Sequence, residues 1–291
     1  MTAQLQLAFF GAVPAILAMA YFDHLDAKRP EPRATLRRVA LAGGLSAIPV
    51  VLVGLLLKHV GPESLSGPAG ASSSYAAALY MSFVIAAFPE EAAKMASVLL
   101  FAWRRPEFDE RMDGIVYGAR AGLGFALVEN VAYLMLMPAS LAEYVAIFIG
   151  RAVLAVPGHA TWGGIMGYFA ARRRFDGRGP GLLGGYLLAV ALHGLYDAWL
   201  FATPVAIGAG HTWLTLGIAG VPVIAYSVPV LIIVGGALAL RSFARRAIAD
   251  DDHEEAQRAA ALAGVPIGTP SVLPSSYGGP YPSHDDVHRR D

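Results

Sequence analysis

The chain contains no cysteine, which excludes disulfides, thiolate metal sites and a cysteine nucleophile. Charge is scarce too. Asp, Glu, Lys and Arg make up 15% of the 291 residues against 56% hydrophobic, whereas soluble domains carry roughly 25% charged residues. With a mean hydropathy of +0.51, the composition reads as a polytopic membrane protein. Lys+Arg and Asp+Glu both number 22, so net charge names no partner and nothing points to nucleic acid. No basic residue precedes the first apolar run, so the first six residues do not resemble a cleaved signal peptide.

Windows of about 20 apolar residues predict seven spans, near 5–22, 39–58, 76–103, 113–137, 143–171, 181–202 and 214–240. The fold class is all-α, a membrane helix bundle. The second, fourth and sixth connections lack Lys and Arg, apart from Lys58 at the very end of the second span. The first carries Lys28, Arg29, Arg33, Arg37 and Arg38; the third carries Arg104, Arg105 and Arg111; the fifth carries Arg172, Arg173, Arg174 and Arg178. The positive-inside rule then puts the N-terminus outside and the C-terminus in the cytoplasm of a multi-pass protein of the cell membrane. Residues 1–248 form the transmembrane domain with its core at 76–202. Residues 249–291 form a cytoplasmic tail, helical to about Leu262 and disordered beyond. The seventh span has no lysine for a retinal Schiff base, so seven spans do not imply a rhodopsin.

Against this apolar background stands Phe88-Pro89-Glu90-Glu91-Ala92-Ala93-Lys94. An ionised group at mid-bilayer costs at least about 2.5–3.5 kcal/mol, so three within a turn and a half require an internal polar site. A structural ion pair between Glu90 and Lys94, at i and i+4, accounts for two of them. It leaves Glu91, turned about 100° away, without a partner. Three further spans carry polar groups at a similar height: Glu129 and Asn130, His159, and His193 with Asp197 one turn on. At about 1.5 Å rise per residue, these fall within a layer on the order of 8 Å thick. Arg120 and Arg151 are also intramembrane and read as counter-charges to Glu129 or Glu91. Pro157-Gly158 loosens the helix beside His159, and Gly122 and Gly124 suit close helix packing.

Carboxylate plus imidazole suits the activation of water, with a second His and an Asn or Asp to stabilise an oxyanion. That is a peptide-hydrolysis kit without a Ser or Cys nucleophile. A second arrangement places Zn²⁺ on His159, His193 and Glu129 or a carboxylate of the third span, the remaining Glu acting as base. There is no His-Glu-x-x-His motif, and the residue chemistry leaves both arrangements open. Buried Glu, His and Arg also build proton relays, so the alternative is a proton-coupled transporter; internal repeats would favour it, and none is evident.

Glu90-Glu91-Ala92-Ala93-Lys94, then Phe108 to Gly118 (FDERMDGIVYG), then Gly122-Leu123-Gly124-Phe125-Ala126-x-x-Glu129-Asn130-x-x-Tyr133, followed by His159 and His193, resemble the signature of the PrsW family of intramembrane proteases. The resemblance covers about residues 76–202. It implies an endopeptidase, similar to the wider CAAX-protease-like superfamily, that cuts a single-span, anti-sigma-factor-like membrane protein by a metallo- or glutamic-type mechanism. By the same resemblance, Glu90 and Glu91 with His159 activate water and His193 with Asp197 serves the oxyanion. Lys94, Glu110, Glu129 and Asn130 are then supporting residues. Asp197 stands where the superfamily often has Asn, and Arg111 where Pro is common; Glu110 falls in a cytoplasmic connection.

Overall fold

The computed structural model describes residues 9–62, 65, 74–136, 140–218 and 222–262. The expected disorder beyond Leu262, and the first residues of the first span, lie outside the described residues. Seven helical stretches follow in order among those described. They are α1 (Val13–Leu25), α2 (Arg33–Val60), α3 (75–101), α4 (Arg111–Leu136), α5 (Leu141–Asp176), α6 (Gly181–Gly208) and α7 (Val223–Leu262), with a 3₁₀ turn at Thr212–Thr215. Five of them, α2 and α4 to α7, are long and apolar enough to cross a membrane. The fold is an all-helical membrane bundle, and Met1–Asp251 forms one compact unit.

Local chemistry sets the ends and the irregularities. Ser74 and Ser140 cap α3 and α5, accepting from Ala77 N at 3.1 Å and Glu143 N at 3.2 Å, as N-cap hydroxyls do. Gly177, at φ +66°, closes α5 in the left-handed region where a Cβ would be strained. Ser46 interrupts α2 without ending it, its hydroxyl donating back to Gly43 O at 2.7 Å. Two helices contain π-helical segments, Tyr80–Ala87 in α3 and Arg151–Ala155 in α5. Each ends just before a proline, Pro89 or Pro157, that cannot donate to the preceding turn.

The buried axis is α4, which packs along α5 and α2 and touches α1 and α3. Residues 112–126 of α4 are all buried. That contact is close because the facing residues are small. A Cβ on Gly118 would stand 2.1 Å from Gly163 O, and one on Gly124 would stand 2.1 Å from Ala40 O. Helices in lipid gain little from apolar burial alone, so such backbone approach is what holds them. The outward faces of the bundle remain apolar: Leu41, Leu45, Leu52, Leu183, Leu231 and Leu238 are exposed, the inverse of a soluble surface.

Candidate active site

The π segment and Pro89 precede the first acidic pair, and that pair points into the bundle. Glu91 and Lys94 are fully buried and Glu90 nearly so. Lys94 Nζ lies 2.6 Å from Glu91 Oε1 but 3.7 Å from Glu90 Oε2. The i,i+4 ion pair of Lys94 with Glu90 is present but long, and Glu91, which that pair alone would leave without a partner, is the closer one. Lys94 chooses the i,i+3 partner because it also reaches His159 Nδ1 of α5 at 2.7 Å, and its ammonium lies 4.9 Å from the Phe125 ring centroid. Glu90 Oε2 consequently has no hydrogen-bond partner.

Imidazoles bridge the helices. His193 of α6 meets Glu91 Oε1 through Nδ1 at 2.8 Å and Asp197 Oδ2 through Nε2 at 3.2 Å, so both ring nitrogens face carboxylates. Its ring stacks on Trp162 at 4.4 Å. His159 presents Nε2 to Glu129 Oε2 of α4 at 2.8 Å. Gly122 makes room for this residue, since a Cβ there would sit 2.2 Å from His159 O. The same Glu129 oxygen receives Arg151 Nη2 at 2.5 Å, while Arg151 Nε donates to Asn130 Oδ1 at 2.6 Å. Asn130 Nδ2 in turn donates to Gly11 O at 3.1 Å, which ties the N-terminal segment to the site.

Glu90, Glu91, Lys94, Glu129, Asn130, His159, His193 and Asp197 thus form one contact network across α3, α4, α5 and α6. Glu110 is not part of it. It pairs with Arg29 and lies 19 residues before Glu129, roughly 28 Å along the chain at helical rise. Arg151 is a counter-charge to Glu129 as expected, but Arg120 pairs with Asp23 of α1, a distant partner that spacing cannot show. Trp162 against both imidazoles was also missed, because an apolar-face tryptophan looks like ordinary core.

The donors suit a divalent cation. Glu90, Glu129 and His159 each offer one ligand atom, all within 4.8 Å of one another. His159, Glu129 and a carboxylate of the third span were all candidates from sequence; the group that comes together takes Glu90 as that carboxylate and does not include His193. Charge argues the same way. Four carboxylates (Glu90, Glu91, Glu129, Asp197) face two cationic side chains (Lys94, Arg151) in this network. His193, with both ring nitrogens on carboxylates, is held there as the imidazolium, which leaves one negative charge unmet in a medium that tolerates none.

A bundle of apolar helices that closes around carboxylates and imidazoles has the make-up of a membrane-embedded, water-activating hydrolase. The family model for "PrsW family intramembrane metalloprotease" matches residues 31–233, and the chain belongs to that family. The match extends beyond the expected 76–202, taking in α2 and part of α7. Among its relatives, the Protease PrsW of Geobacillus kaustophilus is 35% identical over 192 residues, covering 65% of this chain and 77% of its own. Those of Clostridioides difficile and Bacillus subtilis are 30% and 31% identical, covering 67% and 66% of this chain and 79% and 81% of theirs. No solved structure matches the chain. Membership in this family displaces the transporter alternative.

Proposed function

We propose that the protease hydrolyses its target with a water held by Glu90, Glu129 and His159. The observation that carries this reading is the convergence of one ligand atom from each of those three residues within 4.8 Å, with Glu90 Oε2 accepting no hydrogen bond. Glu90 is the general base: its Oε2, which accepts no hydrogen bond, takes a proton from water and returns it to the leaving amine. Glu91 does not meet the reactants; it orients Lys94 and His193, and Asp197 fixes His193 from the other side. Glu90, Glu129 and His159 would also hold a divalent cation such as Zn²⁺, which when bound polarises oxygen and lowers the pKa of water.

The substrate class is a single-span membrane protein, the anti-sigma-factor kind being the one the resemblance implies. Its helix has to unwind to reach a buried site, and the π segments beside Glu90 and His159 are the places where neighbouring backbone is already irregular. The bundle crosses the bilayer seven times, with the short α1 and the acid-bearing α3 added to the five helices that are long and apolar enough by themselves. The test is cleavage of single-span peptides by full-length protein in bicelles. Glu90→Gln, Glu129→Gln and His159→Ala each lose about 10²–10⁴-fold while eluting as folded protein. Retained cleavage by folded Glu90→Gln or His159→Ala would overturn the assignment.

A further inference from the structure

The oxyanion role that resemblance gives to His193 and Asp197 meets an obstacle in the geometry. Peptide hydrolysis develops a negative charge on the carbonyl oxygen, and a donor has to await it there. Neither nitrogen of His193 is uncommitted: Nδ1 faces Glu91 and Nε2 faces Asp197. Lys94 is enclosed between Glu91, His159 and Glu90 and has no exposed surface. Asn130 Nδ2 is spent on Gly11 O. Trp162 Nε1 has no partner, but its ring is sealed at 1% exposure among Leu154, Met166, Tyr196 and Ile233.

Arg151 differs from all of these. Its Nε and Nη2 are held by Asn130 and Glu129, and its guanidinium carbon lies over the Tyr133 ring, 4.0 Å from the centroid. Nη1 makes no hydrogen bond among the described residues, and the side chain keeps 14% exposure. The same Glu129 oxygen touches both Arg151 Nη2 and His159 Nε2, so the guanidinium borders the place assigned to water.

The π segment explains how Arg151 reaches that place. In an unbroken α-helix, residues eight apart are about 80° out of alignment. Arg151–Ala155 is π-helical, and its wider i→i+5 turn acts like one inserted residue, taking back about 100°. Arg151 and His159 therefore come within about 20° of a common face.

We infer that Arg151 is a catalytic residue, whose Nη1 binds the substrate carbonyl oxygen and stabilises the oxyanion; this rests on the water-activation reading above. A water proton passes to Glu90 as the water oxygen bonds to the carbonyl carbon, and the carbonyl π pair moves onto the oxygen facing Nη1. When that pair re-forms the C=O bond, the C–N bond breaks, the nitrogen leaves with the proton from Glu90, and acid and amine result.

The test uses the full chain in bicelles with a pool of single-span peptides, cut products being read by mass spectrometry. Arg151→Gln lowers kcat on a cut peptide about 10²–10³-fold, the loss seen for a missing oxyanion donor, with KM unchanged in protein that still elutes folded, its melting temperature lowered by the loss of the Glu129 pair. Arg151→Lys, a point charge without the fork, restores part of it. A phosphonate analogue of the cut peptide, which presents the tetrahedral anion, binds Arg151→Gln at least about 100-fold more weakly, while an uncleavable Cα-methylated peptide binds equally. If both ligands weaken together, or Arg151→Gln keeps its kcat, the assignment to Arg151 falls and Glu90 is untouched. If Arg151→Gln behaves as inferred yet Glu90→Gln still cuts, the water-activation reading falls.

Discussion

Glu31 closes the connection between α1 and α2 over the Arg-rich end of the bundle, accepting from the Tyr117 hydroxyl of α4 and meeting Asp113. Asp26 accepts from Glu31 N at 3.2 Å, and Glu110 lies close by against Arg29. Burial pushes Glu31 and Glu110 up from 4.5, and Asp26 up from 3.8, each to about 7. Groups whose folded pKa is raised stabilise the fold fully below their unfolded value, and that contribution is lost as pH rises through the folded one. Melting temperature of the detergent-purified chain is expected to fall between pH 5 and pH 8, and Glu31→Gln to flatten the decline. A profile that rises over this window in wild type would contradict the cluster. None of this was legible from spacing, because Asp26, Glu31 and Asp113 meet only through tertiary packing. The core layer was legible for the opposite reason: charges in an apolar run are expensive wherever they pair. What spacing could not decide was which carboxylate Lys94 would take, since His159, 65 residues away, sets its direction.

Among the elements, α4 shows how composition becomes geometry. Gly114, Gly118 and Gly122 recur every four residues and put backbone against α5, each with a would-be Cβ within 2.3 Å of a carbonyl oxygen. The small residues were visible in the sequence, and so was the close packing they imply. The π segments were not. Pro89 and Pro157 announce a disturbance, but where the extra residue is absorbed depends on the neighbours of the preceding turns. Overpacking a core costs about 1–3 kcal/mol when side chains can shift; a carbonyl in a neighbouring helix yields less readily. Gly118→Leu is therefore expected at or beyond the upper end of that range, with loss of folded protein in size-exclusion chromatography. Val128→Leu, on a residue of α4 that is 37% exposed, is expected to leave the elution unchanged. Normal elution of Gly118→Leu would mean that α4 and α5 pack less closely than these distances require.

At the scale of the whole molecule, the cations of the basic connections lie together. Arg29, Arg111, Arg174 and Asp251 gather at one end. There Arg111 binds Asp176 of α5 at 2.6 Å and Asp251 of α7 at 2.8 Å, and Asp251 also accepts from the first amides of α4. This end ties α4, α5 and α7 together, and the basic connections of the sequence converge on it. The chain lacks cysteine, so single introduced thiols can be read without background. On the orientation that the positive-inside rule predicts, Ser74→Cys at the start of α3 is expected to react with a membrane-impermeant maleimide in intact cells. Arg104→Cys, beyond the far end of the same helix, is expected to react only after permeabilisation. The two positions flank one 27-residue helical stretch, 75–101, which at about 1.5 Å per residue is about 40 Å long, enough to cross the bilayer. Labelling of both from outside would show that α3 does not span, and the acid pair Glu90-Glu91 would then lie outside the hydrocarbon layer.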